Sequence, residues 1–283
     1  MKSDLQMLMD GLFVQKQSDT IEGYILKSKF KRKLINGFTV YKQDRKSNKV
    51  VVFVSGGSVL TFTHYVQKLV DDLSLRHCDI LVFEKLGHFN LTCIQGIADI
   101  LQTYSHITIV GCSLGGVIGS HVLSKLDGKT KRLICIDTPF HIYSSIPLIC
   151  ENKQCIWRPD IYELYKCTID IVQESYSLTD LFQITNMKQY ETYVSKHFGI
   201  TNYECMSSMN PEIQNTEIIS FYNEFDPVVV RSYSIPTVEK YKKKLDKSST
   251  CKEVCIKYDY PGHCTEWATD RKIIRQLRKL FRF

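Results

Sequence analysis

The sequence predicts an α/β protein: a mostly parallel central sheet flanked by helices, with a helical cap inserted over one end. Three observations carry that expectation. Short apolar runs rich in β-branched residues alternate with stripes of apolar residues at helical spacing. The polar residues able to do chemistry fall just after those runs, where open parallel sheets hold their sites. A stretch from 140 to 216, dense in aromatic side chains, interrupts the alternation before it resumes. The expected division is therefore a core of 1–139 and 217–283 carrying a cap of 140–216.

In chain order, Leu5, Leu8, Met9 and Leu12 suit a short amphipathic helix that packs on the domain. Residues 20–27 and 37–42 alternate enough for two opening strands, joined by a solvated basic loop, Lys29-Phe30-Lys31-Arg32-Lys33. Lys49 to Val54 is a continuous apolar run, expected as a strand covered on both faces, and it ends in Ser55-Gly56-Gly57-Ser58. A helical stripe follows from Phe62 to Leu73, then a strand at 79–83 whose end carries Glu84-Lys85-Leu86-Gly87-His88. Ile94 to Tyr104 reads as a helix, and 107–110 and 131–136 as strands. Beyond the aromatic stretch come strands at 217–222 and 253–258. A closing helix then sets Ile273, Ile274, Leu277, Leu280 and Phe281 against a basic outer face. The plainest reading of that face is a solvated one, with peripheral membrane contact the less favoured alternative.

The composition narrows the function classes. A hydrophobic share of 43% and a charged share of 24% are ordinary for a globular chain of 283 residues. The net charge of +7 is too diffuse along the sequence to indicate nucleic acid. The cysteines number eleven, an odd count, and Met1-Lys2-Ser3-Asp4 lacks the apolar core of a signal peptide, so a reducing, cytoplasmic setting is expected. Spacings such as Cys150 to Cys155 and Cys251 to Cys255 do not make a zinc site, and no apolar run is long enough to span a bilayer.

The chemistry concentrates in Ile107-Thr-Ile-Val-Gly111-Cys112-Ser113-Leu114-Gly115-Gly116. A strand running straight into a helix through G-x-S-x-G puts Ser113 on a sharp turn, in a strained backbone conformation that only close-approaching glycines on either side permit. The plainer alternative is a glycine-rich turn in which Ser113 merely caps the helix. A serine hydroxyl is a poor nucleophile at neutral pH and needs a base, itself oriented by a third group. Asp226, in Asn223-Glu224-Phe225-Asp226-Pro227, and His263, in Pro261-Gly262-His263, follow in that order, each after a predicted strand. Asp137, after the strand at 131–136, is the competing acid, with Asp226 favoured. Cys112 is expected to point into the fold.

With these motifs the sequence resembles the α/β-hydrolase superfamily, in its lipase and esterase branch and loosely its monoacylglycerol lipase-like members. The resemblance implies Ser113 as nucleophile, Asp226 as orienting acid and His263 as general base and later acid. It also implies an oxyanion hole formed by the amide of Leu114 and one from the loop after the third strand. Where the family commonly has His-Gly, this loop is Ser55-Gly56-Gly57-Ser58, which makes Gly57 the first choice of donor and Ser58 the second. The implied reaction is hydrolysis of a lipophilic carboxylic ester with no metal or organic cofactor. A thioesterase and a catalytically silent, ligand- or protein-binding hydrolase fold stand as alternatives.

Overall fold

The computed structural model describes residues 30–35, 38–43, 47–54, 75, 77–82, 91–141, 189, 192, 208–224, 226, 229, 231–256 and 271–281. Its strands are β1 (Phe30–Ile35), β2 (Phe38–Gln43), β3 (Lys49–Val54), β4 (Asp79–Val82), β5 (His106–Cys112), β6 (Thr130–Ile136), β7 (Thr216–Asn223) and β8 (Thr250–Ile256). The helices with described bounds are α1 (Leu91–Leu101), α2 (Leu114–Leu123), α3 (Arg231–Lys244) and α4 (Arg271–Leu280). All strands join one eight-stranded sheet in the order β1-β2-β4-β3-β5-β6-β7-β8. The two pairings made by β2 are antiparallel and the rest are parallel.

Alternating side chains explain why the central strands read as continuous apolar runs. On β3, Val50, Val52 and Val54 join one core with Ile97 of α1, Val117 of α2 and Val238 of α3. Val51 and Phe53 join a second core on the opposite face, with Leu277 of α4 and Phe281 just beyond it. A strand covered on both faces has no polar side to show in its sequence.

Three expectations need correction. The basic stretch from Lys29 to Lys33 is not a loop: from Phe30 onward it is β1, paired in register with β2 from Phe30↔Gln43 to Ile35↔Phe38. Charge there marks a sheet edge, where lysines and arginines discourage pairing with another chain, and Lys31 is exposed. The last strand begins at Thr250, three residues before the apolar signal, because pairing with β7 starts at Glu217↔Thr250 on the other edge. The helix expected at 94–104 spans Leu91–Leu101, and Tyr104 lies past its end, where its buried hydroxyl donates to Asp79 Oδ2 at 2.8 Å. Burial and that bond push the Tyr104 phenol upward.

Helix α3 was not anticipated. Pro236 sits inside it and only a sparse apolar set, Val238 and Tyr241 among it, reaches the core. Proline removes a helical donor, so the segment carries a breaker signal that packing overrides. The expected helices at 5–12 and 62–73, the strand at 20–27, and the loops 55–58 and 84–88 lie outside the described residues, as does most of the aromatic stretch.

The described residues at 140–141 and 208–209 are paired with each other. His141 bridges Ser208 in antiparallel fashion, and the Met209 amide donates to the Phe140 carbonyl at 3.0 Å. Helix α2 holds Ser208 and Asn210: the Asn210 amide donates to Ser120 Oγ at 2.8 Å, and His121 Nε2 lies 3.0 Å from the Ser208 carbonyl. Burial holds the His121 imidazole below its ordinary range, partly offset by that bond.

Candidate active site

Ser113 follows β5 and opens α2. Its backbone lies at φ 50°, ψ −125°, in the region that L-residues rarely adopt. A conformation of that kind costs on the order of 1–3 kcal/mol and persists only where the surroundings over-determine it. Here they do. The Ser113 amide donates to the Ile136 carbonyl at 2.8 Å, extending the β5–β6 ladder by one residue, and the Gly116 amide returns to the Ser113 carbonyl at 3.1 Å. A Cβ on Gly111 would strike the backbone of Gly115 and Gly116, and one on Gly116 would strike the Thr138 side chain. The half-buried serine makes no side-chain capping bond to the helix, so the plain helix-cap reading does not describe it.

The same closeness continues down α2. A Cβ on Gly119 would lie 2.9 Å from Ile109 and from Leu133, so the helix sits tight against β5 and β6. Cys112 belongs to the core on the α4 face, as β-alternation demands. Burial pushes the thiols of Cys78 and Cys251 up to about 12 and that of Cys135 up as well, so these are inert at neutral pH.

Asp137 and Asp226 stand at the carboxyl ends of the next two strands. Register places Cys112 beside Ile136 and Ile136 beside Phe221, so Ser113, Asp137 and the turn after β7 share one rim of the sheet. Strand spacing puts β5 and β7 about 10 Å apart, a gap that a side chain between serine and acid would have to bridge.

The two acids differ in their bonds. Asp137 is buried at φ 45°, its amide donates to the Phe221 carbonyl at 3.0 Å, and its Oδ1 accepts the Asn223 amide at 2.9 Å. It thus braces the β6–β7 junction. Asp226 is also buried, in a turn closed by its amide on the Asn223 carbonyl at 3.3 Å, and its Oδ1 accepts the Val229 amide at 2.9 Å. The sequence did not single out Thr138, whose side chain fills the space against Gly116. The only signal was its place in the Asp137-Thr138-Pro139 strand end.

His263, Gly57 and Ser58 lie outside the described residues. Leu114 opens α2, where the first amides have no carbonyl within the helix to receive them. No group of three or more potential metal ligands occurs among the described residues. Two depressions that those residues line, of about 390 and 370 Å³, sit at the opposite end of the sheet or beside it. His106, Lys131 and Glu217 line the first and Asp127 and Lys244 the second, and neither touches the Ser113 rim.

No family model and no curated protein sequence matches the chain. Its fold does match solved structures. An esterase of the bacterial hormone-sensitive lipase family aligns over 99% of this chain and 97% of its own, with TM-score 0.55 and 11% identity. An esterase of Pyrococcus furiosus aligns over 90% and 91%, with TM-score 0.54 and 13% identity. A mutant of the esterase E40 aligns over 99% of both chains, with TM-score 0.56 and 11% identity. The chain has the α/β-hydrolase fold, and these solved structures that share it are esterases.

Proposed function

We propose that this chain is a serine hydrolase that cleaves a carboxylic ester, with an apolar acyl group or a lipid as substrate, through an acyl-enzyme. The observation that carries the reading is the conformation of Ser113, held in a strained turn by glycines and a sheet bond and not spent on capping α2. In this reading Ser113 Oγ attacks the ester carbonyl while His263 takes its proton. Asp226 fixes the imidazole tautomer and stabilises the imidazolium that forms. The Val229 amide on Asp226 Oδ1 sets the plane of that carboxylate, and a carboxylate keeps acceptor capacity beyond one bond. The amide of Leu114 and that of Gly57, with Ser58 the second choice, receive the oxyanion. His263 then protonates the leaving alcohol, and water, deprotonated by His263, releases the acid.

Residues 1–139 and 217–283 form the hydrolase core in this reading, with 140–216 as the cap whose aromatic residues shape an apolar acyl site. The paired ends at Phe140–His141 and Ser208–Met209 support that division. The free thiols of Cys78, Cys112, Cys135, Cys251 and Cys255 support a reducing, cytoplasmic setting. Intact-mass labelling with a fluorophosphonate tests the chemistry. One adduct is expected, absent in Ser113→Ala, together with turnover of p-nitrophenyl esters that the same variant abolishes. Faster turnover of matched thioesters would move the substrate class, and an equally active Ser113→Ala protein would end the reading.

A further inference from the structure

We propose that the outer face of α4 is a docking surface for an anionic lipid membrane. Arg271, Lys272, Arg275, Arg278, Lys279 and Arg282 supply six positive charges between 271 and 283, a segment without Asp or Glu. The whole sequence carries +7, so the 270 residues before this segment hold a net charge of only +1. Five of these cations fall on α4 and Arg282 lies just beyond it, so one short acid-free segment carries six of the chain's positive charges.

The structure shows which side of that helix is available. Leu277 and Phe281 are buried in the core on the α4 face of the sheet and Ile274 is buried as well, while Arg275, Gln276, Arg278 and Lys279 are exposed. With its apolar stripe committed to the fold, α4 offers no apolar side for insertion into a bilayer, and its contact with a surface would be electrostatic. The sheet beside it adds one exposed cation, Lys252. Arg132 of β6 donates to the Leu280 carbonyl at the end of α4, and Lys252 of β8 is exposed on the same sheet face as Val254 and Ile256. Glu217 of β7 is the acid of that row, and Arg132 engages it at 2.7 Å.

The geometry favours a bilayer over other anionic partners. A recognition helix in a nucleic-acid groove must stand clear of its domain over much of its circumference, whereas α4 is tied to the core through Leu277, Leu280 and, just beyond it, Phe281. Single strands are held by aromatic rings interleaved with cations, and no aromatic residue lies within Arg271–Leu280. A row of cations on a seated helix suits an extended anionic plane. The proposal deepens the ester-hydrolase reading and rests on it for its use: docking would hold the enzyme on the phase that contains lipid esters.

The test is sedimentation of the full chain with vesicles of phosphatidylcholine alone and of phosphatidylcholine with phosphatidylserine, at low and physiological salt. Binding to the anionic vesicles should exceed binding to the neutral ones and fall as salt rises. The double variant Arg275→Gln/Lys279→Gln should bind them more weakly by about five-fold per lost cation, or about 25-fold together. Arg275→Lys/Lys279→Arg should bind as the parent does, and all forms should melt together and turn over p-nitrophenyl acetate equally. Equal binding to both vesicle types, a folded double variant that binds like the parent, or tighter binding to duplex DNA or RNA at the same salt would each overturn the proposal. Salt-sensitive vesicle binding without any ester turnover would leave the docking surface standing and remove the hydrolase reading instead.

Discussion

The two ends of strands β5 to β7 are built on opposite terms. At the carboxyl end, Ser113 holds φ 50° with ψ −125°, and Asp137 beside it holds φ 45°. At the amino end positive φ falls on Asn215 and Gly128, residue types that adopt left-handed backbone readily. Charges there are tied down: buried Lys131 donates to the Leu126 carbonyl at 2.5 Å and the Leu123 carbonyl at 3.3 Å, closing the end of α2, and Arg132 pairs with Glu217. One end spends stability on an awkward serine, and the other recovers it through ordinary end-capping. Strain on a non-glycine residue with no structural need for it points to chemistry, whereas buried charge fully bonded to carbonyls points to architecture.

The comparison breaks first at the acids. Asp226→Asn should lower ester turnover by about 10⁴-fold, because an amide in that place favours the wrong imidazole tautomer. Asp137→Asn should cost less than about ten-fold, since its Oδ1 still accepts the Asn223 amide, while Asp137→Ala leaves that buried amide unpaired and costs about 1–3 kcal/mol of stability. Steady-state rates and urea melts of the three variants decide it. Larger kinetic loss in Asp137→Asn would make Asp137 the acid and Asp226 the brace.

A smaller effect sharpens the claim of strain. Ser113→Gly should abolish turnover yet raise stability by about 1 kcal/mol, because glycine adopts φ 50° without penalty. A destabilised Ser113→Gly protein would mean that the turn is not strained. The amino end should respond in the reverse sense. Lys131→Met should cost about 1–2 kcal/mol by urea unfolding, as the Leu123 carbonyl that ends α2 and the Leu126 carbonyl in the turn after it lose their donor, with turnover unchanged. A catalytic defect there would show that the two ends are coupled.

Much of the sheet was readable in advance because β3 and β5 to β7 are buried on both faces, and such strands cannot avoid apolar runs. The turn at Ser113 was equally readable, since G-x-S-x-G names its own steric requirement and Gly111 meets the backbone of Gly115 and Gly116 as expected. The edges were harder. On β1 and β8 one side needs no partner, so Lys31 and Lys252 stand where an interior strand would hold valine. Helix α3 was hidden by Pro236, and its place is set by Val238 and Tyr241 meeting the core.

By itself the sequence determined the order of strands and helices through the middle of the chain, the turn that carries Ser113, and two acids at strand ends. Those are local properties, written in periodicity and in the space a glycine leaves. Only the tertiary structure decided that Asp137 is bound to the Asn223 amide, that Thr138 fills the wall of the serine turn, that a basic stretch is an edge strand, and that the apolar stripe of α4 is spent on the core. Each of these depends on a partner far away in sequence, and no local pattern records which partner a hydrogen bond or an apolar face will find.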